Sequence, residues 1–344
     1  MNSMQRVLTT LSFKEPDRVP LFLFTGLQGA GELGLSIEDY FSRSDYVVEG
    51  QMRLLKKYRG DCITGFFYAA IELQAWGGEA IFQPDCPPNA GPAIIRRPED
   101  IDRLRAPRVA DSPLLLRVLE TIRQLKARVG DTVPIIGIVI SPFSLPVIQM
   151  GFDRYIELIY EQPERLAKLM RINEDFCVEW ANAQLAAGAT AVGYFDPVSS
   201  VTIIPRELYL QTGQQVAMRT LARINGPAAT HLASGRCLPI IDDIAATGSA
   251  GLGVSALEDL AALKAAAQGK LTLIGNLNGI EMRRWTAEQA EREVKSAIAK
   301  AGRGGGFILA DNHGEIPWQV PEQTLLAIAD AVERWGRYPL DWIE

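Results

Sequence analysis

Apolar residues along this chain fall into two alternating patterns. Short, nearly continuous apolar runs recur at 19–24, 61–68, 132–140, 189–195, 227–231, 251–254 and 270–275, and again inside the stretch 304–318. Such runs, bounded by Gly, Pro or Asp, read as buried strands. Between them the apolar spacing turns helical: at 4–12, at 36–57 behind Ser36 as N-cap, at 113–128, at 163–187 between Pro163 and Gly188, and at 205–224 behind Pro205. Further helices are expected after Ser255, where Ser255-Ala256-Leu257-Glu258 reads as a capping box, after Thr286 with Gln289, and at 321–335. Residues 77–95, with paired glycines and four prolines, suit a hairpin excursion, and 25–31 (Thr25 to Gly31) suits a mobile glycine-rich loop.

Eight buried strands with helical segments between them predict a parallel sheet, and at this length an α/β (β/α)8 TIM barrel in one domain, residues 1–344. The competing doubly wound sheet lacks its usual dinucleotide fingerprint, since the loop at 25–31 does not match GxGxxG. In either case ligands are expected at the carboxyl edge of the sheet. That edge would hold Tyr68, Ser141, Asp196, His231, Ser255, Asn276, His313 and Glu315, with Glu72 just beyond the second strand. The chain has only two histidines, and both fall there. A histidine beside a carboxylate suits proton transfer, with His231, His313 and Asp196 as the catalytic candidates. Tyr68, Glu72, Ser141, Asn276 and Trp318 are the expected substrate contacts. Two histidines with a carboxylate also suit an open divalent site, with His231, His313 and Glu315 or Asp196 as ligands.

Composition narrows the rest. Apolar residues make up 47% of the chain, and 35 Lys and Arg stand against 41 Asp and Glu for a net charge of -6. Neither a nucleic-acid nor an anionic-membrane footprint is present, so a small molecule is the expected ligand. Cys62, Cys86, Cys177 and Cys237 lack metal-binding spacing and read as reduced thiols. No signal-like or membrane-spanning run appears, and a cytoplasmic location is expected.

In order and spacing several segments resemble the uroporphyrinogen decarboxylase superfamily, which includes corrinoid-linked methyltransferases. They are Arg6-Val7-Leu8 through Lys14-Glu15-Pro16-Asp17-Arg18-Val19-Pro20, Ser141-Pro142-Phe143-Ser144-Leu145, Asp196-Pro197-Val198-Ser199-Ser200, Thr230-His231-Leu232-Ala233-Ser234-Gly235, Leu273-Ile274-Gly275-Asn276, and His313-Gly314 followed by Pro317 and Pro321. The resemblance implies the same barrel. True decarboxylases of the family carry arginines in the loop after the first strand, where this chain has 25–31 without any, and their aspartate after the second strand falls at Tyr68. The thiol methyltransferases bind zinc through a His-x-Cys pair and a later Cys. Here the pair reads His231-Leu232-Ala233 and the later position falls at His313, so the family's cysteine ligands are absent, yet two of the three positions can still bind zinc, with a carboxylate such as Glu315 or Asp196 to complete the site. The resemblance leans toward the methyltransferase branch: transfer of a methyl group between a small substrate and a corrinoid (cobalamin) on a partner protein. A lyase acting on a smaller carboxylic acid, or a non-catalytic small-molecule or corrinoid-protein binder, are the alternatives.

Overall fold

A computed structural model describes residues 1–343. Eight strands form one parallel sheet: β1 (Leu21–Phe22), β2 (Ile63–Thr64), β3 (Ile135–Ile140), β4 (Ala191–Phe195), β5 (Ala228–His231), β6 (Gly251–Gly253), β7 (Thr272–Leu277) and β8 (Phe307–Asp311). Their order is β1-β8-β7-β6-β5-β4-β3-β2. Helices cover the outer face, so this is a nearly closed (β/α)8 barrel. Strand polarity alternates as a barrel requires: on β4, Val192 and Tyr194 are buried outward while Ala191, Gly193 and Phe195 line the interior.

The ring is incomplete between β1 and β2, and this seam is pinned from one side. The backbone N–H of Asp61 donates to Leu21 O (2.7 Å), and Leu21 N–H donates to Asp61 Oδ2 (2.9 Å). The same fully buried carboxylate takes Arg6 Nη1 and Arg18 Nη1, each at 2.6 Å, and the Ser3 hydroxyl at 3.0 Å. Arg6 belongs to the first helix, Ser3–Leu11, which lies across the amino-terminal end of the barrel and lines the cavity with Met4, Val7, Leu11 and the half-exposed Leu8.

Several expected elements are redrawn. The helix expected over 36–57 is two, Ile37–Ser42 and Ser44–Tyr58, with Arg43 extended between them. The Ser42 hydroxyl donates to Asp39 O (2.6 Å), competing with the helix's own ladder. Residues 205–224 likewise break at Thr212, whose hydroxyl donates to Leu208 O (2.6 Å), and the next helix opens on Gly213, where a Cβ would come within 2.4 Å of Ser199 Oγ. The Ser255 capping box does not form. The helix Leu260–Ala267 starts at Asp259, whose side chain accepts from Ala261 N–H, and Glu258 turns away to accept the amides of Cys237 and Leu238. The loop expected to be mobile at 25–31 runs instead into the helix Gln28–Leu33, where Gly29 presses on Tyr40. The hairpin at 77–95 is present, as Ala80–Ile81 against Asn89–Ala90, and the Thr286–Gln289 box caps the helix Ala287–Ala301. No helix among the described residues is long and apolar enough to cross a membrane.

Candidate active site

Inside the barrel lies a cavity of about 140 Å³ whose surface is almost wholly apolar. Barrel interiors are normally filled by bulky branched side chains. Here Gly193, Ala229 and Gly251 stand in register on β4, β5 and β6, so three neighbouring strands present nothing larger than a methyl group. Leaving that volume empty costs on the order of 3 kcal/mol at about 24 cal/mol per Å³. The lining includes no Lys and no Arg.

At the carboxyl-terminal end of the cavity His231 and Asp311 are among the lining residues, although they add scarcely any polar surface to it. Phe195, His231 and Gly253 are in register on β4, β5 and β6. The His231 imidazole stacks on the Phe195 ring (4.6 Å between centroids, 9°), and a Cβ at Gly253 would fall 2.2 Å from its Cδ2. The ring is therefore held on both sides. Its Nδ1 accepts the Ala233 N–H at 2.9 Å. A neutral imidazole whose Nδ1 accepts must carry its proton on Nε2. Burial, and then the neighbouring His313, push the pKa of His231 down to about 4, so it is a neutral Nε2–H donor near pH 7.

His313 is governed by the same logic. With the Asn312 amide oriented to satisfy both its ends, it donates to His313 Nδ1 (2.6 Å) and Leu277 O (3.0 Å) and accepts from Ala256 N–H (3.2 Å). This assigns the Nε2–H form to His313 as well, and its pKa is lowered by burial. Two histidines whose Nδ1 atoms accept hydrogen bonds have no lone pair at Nε2 to offer a cation.

Asp311 ends β8. Its Oδ2 accepts the amides of His313 (3.1 Å) and Gly314 (3.0 Å), which lower its pKa, yet burial prevails and lifts it to about 6. Glu315, one turn later, is pushed up to about 8 by burial and then by the Asp311 charge, and its Oε1 lies against Gly26 without a hydrogen-bond partner among the described residues. Two nearby carboxyls with raised pKa values form an acidic pair that retains a proton near neutrality. Asp311 was absent from the sequence candidates. The signal was available, for it is the strand-terminal polar residue two positions before His313.

Other candidates lie elsewhere. Because Phe195 faces inward, Asp196 faces outward. Its Oδ1 accepts from Ser141 Oγ (2.5 Å) and Ser144 Oγ (2.8 Å) in a fully buried pocket of the outer layer, which corrects the catalytic role expected for Asp196 and the substrate contact expected for Ser141. Tyr68 also leaves the set: its hydroxyl donates to Gln74 Oε1 (2.9 Å), and its ring packs edge-on to Phe41 and Phe82. Glu72 accepts Ile140 N–H at 2.9 Å beneath the hairpin and does not line the cavity. Asn276 donates to Ser255 O (3.0 Å) and lines a separate polar cleft, while Trp318 packs on Gly31. No three His, Cys, Asp or Glu side chains among the described residues are grouped to hold a metal ion, so His231, His313 and Glu315 do not assemble the expected ligand set.

A barrel with an apolar hollow and titratable groups at the strand carboxyl ends has the layout of the (β/α)8 enzymes. The chain belongs to the uroporphyrinogen decarboxylase (URO-D) family, whose sequence profile it matches over residues 2–335. A uroporphyrinogen decarboxylase of Mannheimia succiniciproducens is 28% identical over 236 residues, covering 64% of each chain. Another, of Hydrogenovibrio crunogenus, is 25% identical over 323 residues, covering 88% of this chain and 87% of the relative. A methyltransferase from Methanosarcina mazei shares the fold at a TM-score of 0.81 and 19% identity, covering 97% of this chain and 99% of that one. A B12-independent methionine synthase from Shewanella is more distant, at a TM-score of 0.56 and 12% identity, covering 93% and 95%.

Proposed function

We propose that this protein is a methyltransferase-like enzyme of the URO-D family that removes a methyl group from a small, largely apolar ether and passes it to a corrinoid on a partner protein. The observation that carries this reading is the composition of the cavity: about 140 Å³, without Lys or Arg, and ending on His231 and Asp311. A porphyrinogen with its many carboxylates would find no cation there, and a small carboxylic acid would lack an anchor for the group it must lose. The cavity is also too small for a corrin macrocycle, which is consistent with a carrier docked from outside. Such a carrier supplies the nucleophile that accepts the methyl group. The residues of this chain handle the other product. As the methyl–oxygen bond breaks, its electron pair stays on oxygen, the Asp311/Glu315 pair supplies a proton to it, and the His231 Nε2–H donates a hydrogen bond to the same atom.

The test is methyl transfer from methyl ethers to a reduced corrinoid, followed by its absorbance, with uroporphyrinogen as a parallel substrate. Wild-type protein should methylate the corrinoid, and Asp311→Asn should slow it by roughly 10²-fold or more, the usual worth of a general acid. Formation of coproporphyrinogen at enzymatic rates, or an unimpaired Asp311→Asn protein, would overturn the proposal.

A further inference from the structure

We infer that the hollow within the barrel is a built subsite for a neutral group the size of a benzene ring, which forms the non-reacting end of the substrate. This rests on the reading of the reacting end given above, but its evidence is separate. The hollow owes its room to Gly193, Ala229 and Gly251, and its edges are set by Ile138 and Ile274 of the adjacent strands, 3.6 and 3.4 Å from where Cβ atoms on Gly193 and Gly251 would sit, with Ile308 also in the lining. It is floored by Val7 and its neighbours on the first helix. A cavity of about 140 Å³ is close to the engineered cavity of about 150 Å³ that stays dry and takes benzene or xenon. With scarcely any polar surface it offers water few partners, and with Asp311 and no Lys or Arg among its lining residues it selects against anionic guests. The hollow leads upward to the stacked Phe195 and His231 rings. A ring seated below them would present a substituent directly to the His231 and Asp311 end.

Two substitutions fill the space with little strain. A Cβ at Gly193 would meet nothing closer than 3.6 Å, and Ala229 already carries a methyl group on the cavity wall. Crystals of the wild-type chain pressurised with xenon should show density in the hollow, and benzene should raise the melting temperature. Both effects should vanish in Ala229→Leu and in Gly193→Val, whose folding is checked by their unliganded melting temperatures. With corrinoid as acceptor, Ala229→Leu should raise the ratio of KM for methyl phenyl ether to KM for dimethyl ether by at least about tenfold, because the ring's burial is lost. A hollow empty of xenon and indifferent to benzene, or guest binding that survives both substitutions, overturns the inference. The xenon and benzene results do not depend on turnover. A protein that binds these guests but transfers no methyl group therefore keeps the subsite and loses the proposed reaction.

Discussion

Replacing Glu72 by glutamine should make the protein more stable in alkaline solution, although Glu72 touches no part of the candidate site. Its Oε1 accepts the Ile140 amide, and its Oε2 is buried without a partner among the described residues. Burial raises its pKa from 4.5 to about 8, with only the Ile140 amide and the Trp180 side chain opposing it. The sign follows from proton binding. Below the unfolded value of 4.5 both states are protonated and the carboxyl has no effect on stability. From there to about pH 8 the unfolded chain has released its proton and the folded chain has not, so stability falls as pH rises. At about 1.4 kcal/mol per unit the full loss approaches 5 kcal/mol, most of it present by pH 8.5. Glutamine keeps the acceptor for Ile140 and removes the titration. Urea unfolding at pH 5.5 and 8.5 measures the effect. The variant should lose several kcal/mol less than wild type between these two conditions. Equal losses in the two proteins would mean that Glu72 is ionised in the fold, and the argument from burial would fail.

Two further outcomes follow from the geometry. Asp61→Ala should cost about 3–5 kcal/mol, because it strands the Arg6 and Arg18 guanidiniums at the barrel seam, and a denaturation midpoint close to wild type would refute that view of the seam. Gly253→Ala should cost about 1–3 kcal/mol, since the added methyl group meets an imidazole that Phe195 prevents from retreating. Combining it with Phe195→Ala should recover part of this cost, and strict additivity in a double-mutant cycle would show that the ring is not clamped.

The barrel was legible because strand runs and helical segments alternate with few ambiguities, and the two histidines because they are rare and stand at strand ends. The side on which a terminal residue faces was harder to read. Asp196 and Phe195 are adjacent, and a one-residue step separates the interior from the outer layer. Tyr68 was misplaced because β2 stops at Thr64, leaving Tyr68 in an aromatic cluster outside the barrel. The helix breaks at Arg43 and Thr212 depend on local hydrogen bonding and close packing, which periodicity does not record. The small residues of the hollow are visible in the sequence, but Gly193, Ala229 and Gly251 become one surface only through the pairing of three strands.

The first helix is both the floor of the cavity and the fastener of the seam, since Arg6 holds Asp61 while Val7 and Leu8 face the hollow. Lifting that helix to admit a guest from below would tear a buried carboxylate from its cation, at a cost of about 3–5 kcal/mol. On the proposed reading the substrate therefore passes at the His231 end, where the reacting groups stand. A compulsory order follows: the small substrate enters first, whatever takes its reacting group arrives second and must depart before the remainder can leave, and excess acceptor at the doorway should slow turnover by trapping what lies behind it.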